Sequence, residues 1–289
     1  MWIVVVNPTS GGGRGRSIGE EVIRLVKERN LKFLEIIENS AHATSLSLKN
    51  ALANHQVTGV MAVGGDGLVH LVIQHLANTQ IPLLVFPGGT GNDFVRALRA
   101  PLDNNAALLA NALSKKPTAI DLGNISGEYF ADILSTGFDS IVNERANRMN
   151  FVKGPMKYNV AIALELPLFK PREYSFEIDN QRFTTKAMLI AVANGESYGG
   201  GMRVCPNASM FDGFFDLMIL EPVSKIEFLK VFPKVFKGTH ISHPKVRMER
   251  ARSVTISAPA VAYADGERIG SLPISARIVP NALNTWSYR

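Results

Sequence analysis

The sequence is short of cysteine and of long apolar runs. Its single Cys205 has no partner for an intramolecular disulfide, and one thiol is no basis for a structural zinc site. A disulfide scaffold and a zinc module are therefore excluded, and a reducing cytoplasm is expected. No apolar run approaches the ~20 residues that a membrane-spanning helix needs. The opening Met1-Trp2-Ile3-Val4-Val5-Val6-Asn7 has no basic region ahead of its apolar residues, so a signal peptide is not expected either. Internal repeats, low-complexity tracts and long linkers are also missing, which argues for two halves packed together rather than tethered. Charged residues amount to 19% against 46% hydrophobic, the wrong balance for a disordered chain. What remains is a folded protein of 289 residues, a length more comfortable as two domains than one. Its 31 Lys+Arg against 25 Asp+Glu leave a net charge of +6. That favours an anionic partner without choosing between nucleotide, nucleic acid and acidic lipid.

The first half alternates short apolar runs with helical spacing, the pattern of a parallel sheet wrapped by helices. Strands are expected at Ile3 to Val6, Lys32 to Ile37, Val57 to Val63 and Ile81 to Phe86. Three of them end in glycine loops: Asn7-Pro8-Thr9-Ser10-Gly11-Gly12-Gly13-Arg14-Gly15, Gly64-Gly65-Asp66-Gly67 and Pro87-Gly88-Gly89-Thr90-Gly91-Asn92-Asp93. After Lys116-Pro117 the chain turns β-rich, with strands expected near Ala119 to Leu122, Tyr129 to Leu134, Tyr174 to Ile178, Lys186 to Ala193 and Phe215 to Leu220. Helical spacing returns over Ile141 to Leu166 and over Ile226 to Phe236, where Pro233 should introduce a bend. The expected division is an α/β domain over 1–118, a β-rich sandwich over 119–280 and a tail, 281–289, that returns to the first domain.

A glycine loop at the carboxyl end of a parallel strand lets backbone N–H groups approach phosphate, since no Cβ stands in the way. In the first loop Thr9 and Ser10 add hydroxyls, and Arg14 or Arg16 adds charge. The second places the Asp66 carboxylate where it can meet a metal-bound phosphate, although an aspartate there also suits a helix cap. The third adds Thr90, Asn92 and Asp93. Three such loops along one sheet edge are what a nucleotide crevice requires, even though neither the P-loop spacing nor the dinucleotide fingerprint is present.

Asn-Pro-x-Ser-Gly, Gly-Gly-Asp-Gly and Gly-Thr-Gly-Asn-Asp-Phe, in that order, resemble the diacylglycerol kinase catalytic domain, whose wider family includes bacterial lipid kinases and sphingosine kinases. The resemblance runs on through Ile120-Asp121-Leu122-Gly123, Gly137-Phe138-Asp139, Gly199-Gly200-Gly201-Met202, Pro206-Asn207-Ala208, Asp212-Gly213-Phe214-Phe215-Asp216 and Asp265-Gly266-Glu267, nearly the whole chain. It implies an α/β plus β fold and ATP-dependent transfer of the γ-phosphoryl group to a lipid hydroxyl, with diacylglycerol as the leading acceptor and Mg2+ as the cofactor. By matching position, Asn7, Pro8, Thr9, Ser10, Gly11, Gly64, Gly65, Asp66, Gly67, Leu68, Val69, His70 and Thr90 would line the nucleotide. Asn92 belongs to the same loop, and Asp66 and Asp93 would help hold magnesium and phosphate. Glu267 would be the general base, with Asp66 as the rival for that role, since sphingosine-kinase relatives assign it to the Gly-Asp-Gly aspartate. Ser209, Asp212 and Phe214 resemble a structural Mg2+ turn, and Asp121 matches a further acidic position of the family's site.

Two departures stand out. Leu68 and His70 replace the Thr and Asn of many bacterial members, a form reminiscent of sphingosine kinases, and Ile37 and Glu38 stand where members place a threonine near the adenosine. The alternatives are a sphingosine-like or other lipid kinase, a nucleotide-binding sensor without transfer, and a soluble NAD kinase, the last disfavoured by the amino-terminal motif. His240 and His243 read as a strand approach rather than metal ligands, and Cys205 as a packing residue. Lys230, Lys234, Lys237, Lys245, Arg247, Arg250 and Arg252 flank the face of Phe228, Phe232 and Phe236. They suit peripheral contact with anionic lipid as well as a solvated basic surface. Nucleic acid is not an expected partner, because no recognised module is present. The oligomeric state stays open, a homodimer included.

Overall fold

The computed structural model describes residues 1–149 and 156–288. The first half runs β1 (Trp2–Val6), α1 (Arg14–Glu28), β2 (Phe33–Ile37), α2 (Ala41–Asn54), β3 (Gly59–Gly64), α3 (Asp66–Leu76), β4 (Leu83–Pro87), α4 (Asp93–Ala97) and α5 (Asn105–Ser114). The four strands are parallel in the order β2-β1-β3-β4. β1, β3 and β4 are buried on both faces, which is why they read as continuous apolar runs. Alternate residues divide between two layers: Ile3, Val5, Val60 and Ala62 pack with α2 and α3, whereas Trp2, Val4, Met61 and Val63 pack with α1 and α5. On α2, Leu48 and Ala51 face this core, whereas Leu46 faces outward at 53% exposure.

The second half comprises β5 (Thr118–Ile125), β6 (Glu128–Phe130), β7 (Ile133–Gly137), α6 (Phe138–Arg148), α7 (Met156–Glu165), β8 (Arg172–Ile178), β9 (Gln181–Ala187), β10 (Leu189–Ala193), β11 (Phe215–Leu220), α8 (Lys225–Val231), β12 (Val246–Ala251), β13 (Ser253–Ser257), β14 (Val261–Ala264), β15 (Glu267–Ser271) and β16 (Ile274–Thr285). A six-stranded sheet, β12-β11-β10-β7-β14-β15, is antiparallel throughout. It faces β5, β6, β8, β13 and β16 across a core that includes Phe130, Phe176, Ile190, Phe215, Leu217 and Val254. The outer face of the six-stranded sheet is covered by α6, α7 and α8.

The two halves share a sheet. β16 pairs antiparallel with β5 and β13, and at Thr285 parallel with Leu83 of β4, so the parallel strands continue into a mixed sheet. Trp286 then packs on Trp2, ring centroids 6.2 Å apart, and donates its indole N–H to the Lys115 carbonyl.

Several expected elements are subdivided. The run Lys186 to Ala193 is two strands that belong to different sheets, joined at the buried Met188. Tyr129 to Leu134 likewise breaks between β6 and β7. The helical stretch Ile141 to Leu166 holds α6 and α7, and residues 150–155 between them lie outside the described residues, as does Arg289 of the tail. Ile226 to Phe236 is α8 followed by a 3-10 turn, Phe232–Lys237, with Pro233 in its first turn. Phe228 is buried, whereas Leu229 and Phe236 are exposed.

Candidate active site

All three glycine loops meet at the carboxyl ends of β1, β3 and β4, and their glycines are there because the loops touch. A Cβ on Gly11 would collide with the Gly88 carbonyl, one on Gly65 would sit 2.9 Å from the Gly89 Cα, and one on Gly91 would sit 2.6 Å from Asp66 Oδ2. Gly11, Gly12 and Gly13 have φ of 57°, 72° and 103°, a left-handed run that side chains rarely adopt. Successive amides in such a run form an anion-binding concavity. Asn7 Oδ1 braces the start of the loop by accepting from the Thr9 N–H at 3.1 Å and the Thr9 hydroxyl at 2.8 Å. Arg14 crosses to the third loop and donates to the Gly89 carbonyl at 2.6 Å. Thr90 is exposed at the rim.

Asp66 opens α3, and its two carboxylate oxygens accept the N–H groups of Asn92 and Asp93, each at 2.9 Å. Burial, and then the neighbouring Asp93 charge, push its pKa up to about 6 despite those hydrogen bonds. Such a carboxylate is short of positive charge. Asp93 is spent differently: buried, it accepts from Gly200 N–H at 2.7 Å, Gly201 N–H at 2.8 Å and the Ser197 hydroxyl at 3.1 Å. Its carboxylate thus ties the amino-terminal half to the Gly199-Gly200-Gly201 loop. Leu68 and Val69 point into the core, so neither side chain lines the crevice. His70 is buried as well, and faces Asp265 and Glu128 rather than the glycine loops.

From the other half, the turn between β14 and β15 brings Glu267 against the first turn of α3. A Cβ on Gly67 would lie 3.1 Å from Glu267 Oε1. The turn is held by Asp265, whose carboxylate accepts the N–H groups of Ala131, Asp132 and Ile133 at 2.7–3.2 Å. Asp132 is buried beside it with Oδ1 unpartnered. Burial, and then the charges of Asp265, Asp93 and Asp66, raise its pKa well above the usual carboxylate range. Asp139, in the first turn of α6, is pushed to about 6 by burial and accepts from the Tyr198 hydroxyl at 3.4 Å. No local pattern could have singled out Asp132 as part of this cluster, because its neighbours Asp66, Asp93 and Asp265 come from three separate segments. Asp265 was at least marked by its Asp-Gly dipeptide.

Asp121 is buried at the domain junction and accepts from Gly213 N–H at 2.7 Å and Asn281 N–H at 2.9 Å, a role in shaping backbone. The turn holding Ser209, Asp212 and Phe214 lies apart from these loops. Asp212 accepts from the Phe214 N–H at 3.1 Å and pairs with Arg250 at 2.6 Å. With its charge already matched by arginine, Asp212 does not fit a cation in this arrangement. Among the described residues no group of three or more His, Cys, Asp and Glu side chains is arranged to hold a metal ion. His240 Nε2 meets the Val204 carbonyl at 3.0 Å, and His243 pairs with Glu227 at 3.1 Å.

Residues 1–125 match the model of the diacylglycerol kinase catalytic domain, and residues 132–287 match the YegS C-terminal NAD kinase beta sandwich-like domain. A diacylglycerol kinase of Mycobacterium tuberculosis (strain ATCC 25618 / H37Rv) is 36% identical over 286 residues, covering 96% of this chain and 92% of the relative. The chain belongs to the diacylglycerol kinase family. A diacylglycerol kinase of Bacillus subtilis (strain 168) is 30% identical, covering 93% and 90% of the two chains. The fold agrees with a crystal structure of a diacylglycerol kinase from Bacillus anthracis str. Sterne, with a TM-score of 0.76 over 99% of this chain and 96% of that one, at 21% identity. The α/β half and the antiparallel sandwich of this family member are thus the family fold. Among the described residues no helix is long and apolar enough to cross a membrane.

Proposed function

We propose that the chain transfers the γ-phosphoryl group of ATP to the hydroxyl of a membrane lipid, with diacylglycerol as the acceptor and phosphatidic acid as the product. The observation that carries this reading is that each half brings a carboxylate to the first turn of α3, Asp66 opening that turn among the glycine loops and Glu267 lying against Gly67. The Gly11 and Gly12 amides and Arg14 receive phosphate oxygens. Asp66 suits Mg2+, a hard cation, because its buried carboxylate has backbone donors but no cationic partner in its surroundings. Bound with the nucleotide, Mg2+ would neutralise charge building up on the phosphates. Glu267 accepts the proton of the lipid hydroxyl as its oxygen bonds to the γ-phosphorus and the bond to ADP breaks. Asp93 keeps the two halves in register. The metal assignment to Ser209, Asp212 and Phe214 rests on resemblance, and nothing in this reaction passes through it.

An apolar cavity of about 40 Å³ lies beneath α8, lined by Leu189, Tyr198, Met218, Phe228, Phe232 and Val235 among others. Tyr198 in this lining belongs to the loop that Asp93 holds. Above it Ile226, Leu229 and Phe236 are more than half exposed, and Lys225, Lys230, Lys234 and Lys237 surround them. That surface suits peripheral contact with an anionic bilayer.

The test is transfer of labelled γ-phosphate from MgATP to mixed micelles of diacylglycerol, monoacylglycerol, phosphatidylglycerol, ceramide or sphingosine, with NAD as a soluble control. Labelled phosphatidic acid is expected. Product from sphingosine alone would move the acceptor, label on NAD would replace the reading, and ATP binding without any transfer would favour the sensor.

A further inference from the structure

His70 stands in for an asparagine common in the family, and its imidazole spans two carboxylates. Nδ1 lies 3.3 Å from Asp265 Oδ2, and Nε2 lies 3.1 Å from Glu128 Oε1. A carboxylate only accepts, so using both contacts requires both ring nitrogens to donate, which defines the imidazolium. The ring is 7% exposed, Asp265 3% and Glu128 45%. The three come from three elements: α3, the β14–β15 turn and β6. Asp265 also accepts three backbone N–H groups of the β6–β7 connection and sits two residues before Glu267. The four residues His70, Asp265, Gly266 and Glu267 therefore form a closed path that leaves α3 at its second turn and returns to it at Gly67.

We propose that His70 is a positioning residue: by holding Asp265 and Glu128 together, it locks the first turn of α3 to the turn that carries Glu267 and fixes Glu267 relative to Asp66. The inference rests on the kinase reading for its catalytic consequence, but the lock itself does not. Burial alone would lower the imidazole pKa. The hydrogen bond and charge of Asp265, then those of Glu128, outweigh it and raise the value to about 9. The charged groups facing the ring are these two, one from each element packed against it.

The experiment has two arms on the full chain. In the first, imidazole NMR of the ring-labelled protein follows His70 through pH 5 to 10, with Glu128→Gln as the second sample. The expected result is an apparent pKa about 9 that falls in Glu128→Gln; a value near 6.5 in both overturns the proposal. In the second, kcat and KM for ATP are measured from pH 6 to 10 for the wild type, His70→Asn and Glu128→Gln with the lipid acceptor. A loss of about 100-fold in kcat is expected for His70→Asn, the cost of misplacing a reacting group by about 1 Å, with KM for ATP unchanged. The alkaline limb of the wild type, centred near 9, should be missing from His70→Asn and shifted to lower pH in Glu128→Gln. Wild-type kcat in His70→Asn with the alkaline limb retained overturns it. If His70→Asn does not fold, Glu128→Gln decides, since that residue is half exposed. If the wild type phosphorylates no lipid, the functional reading fails while the NMR arm still decides the lock.

Discussion

Removing the His70 charge should alter stability in a pH-dependent way whose sign follows from the site. The raised native value, about 9 against 6.5 for an ordinary imidazole, means that the native state holds a proton the unfolded chain has released. At 1.36 kcal/mol per pH unit the difference is worth about 3 kcal/mol. That is an upper figure, because the Glu128 arm is half exposed and solvent screens it. The contribution is present in full below pH 6.5 and is lost as pH rises through 9. Urea denaturation of the wild type and His70→Asn at pH 6.5, 8 and 9.5 isolates it, because titration common to both proteins cancels in the difference. The wild type should lead by about 2–3 kcal/mol more at pH 6.5 than at pH 9.5. A gap that stays constant over that window would refute the ion-pair reasoning, whatever its size.

Other outcomes follow from single contacts. Glu267→Gln should keep MgATP affinity and lower kcat by orders of magnitude, checked by nucleotide titration beside steady-state turnover. Gly67→Ala should separate activity from stability: a methyl 3.1 Å from Glu267 Oε1 displaces the carboxylate and slows turnover, while helix propensity in α3 rises by up to about 1 kcal/mol, read by the denaturation midpoint. Asp93→Ala strands the donors of Ser197, Gly200 and Gly201 and should cost about 3 kcal/mol or more, with faster hydrogen exchange at the two glycine amides. Trp286→Ala, at the edge of the parallel sheet, should cost about 3–5 kcal/mol in the same denaturation assay.

The parts legible from the sequence are those specified locally. β1, β3 and β4 could be read because both faces of a covered parallel sheet are apolar, and the glycine loops because each follows such a strand directly. The division of Lys186 to Ala193 could not be read, since an unbroken apolar run carries no mark where a chain leaves one sheet for another. Of the site, Asp66 is marked by its glycine neighbours, whereas Glu267 is reached only through the family resemblance that Asp265-Gly266-Glu267 carries. His70 was placed with the nucleotide because it follows Gly64-Gly65-Asp66-Gly67, whereas its partner Asp265 lies 195 positions further on. Asp93 matched the family motif, yet its carboxylate serves the loop at Gly200 rather than standing free in the crevice. Those partnerships are tertiary facts, created only when the second half closes over the first.

The path of β16 has a consequence for biosynthesis. The parallel sheet obtains its neighbour beyond β4 only at Thr285, and the layer under β1 obtains Trp286 only one residue later. During vectorial synthesis the glycine loops are complete at Asp93, yet the sheet that supports them stays open at one edge until Thr285 has emerged. A nascent chain therefore carries an unprotected strand edge over that whole interval, and pairing with a second nascent copy is its characteristic hazard.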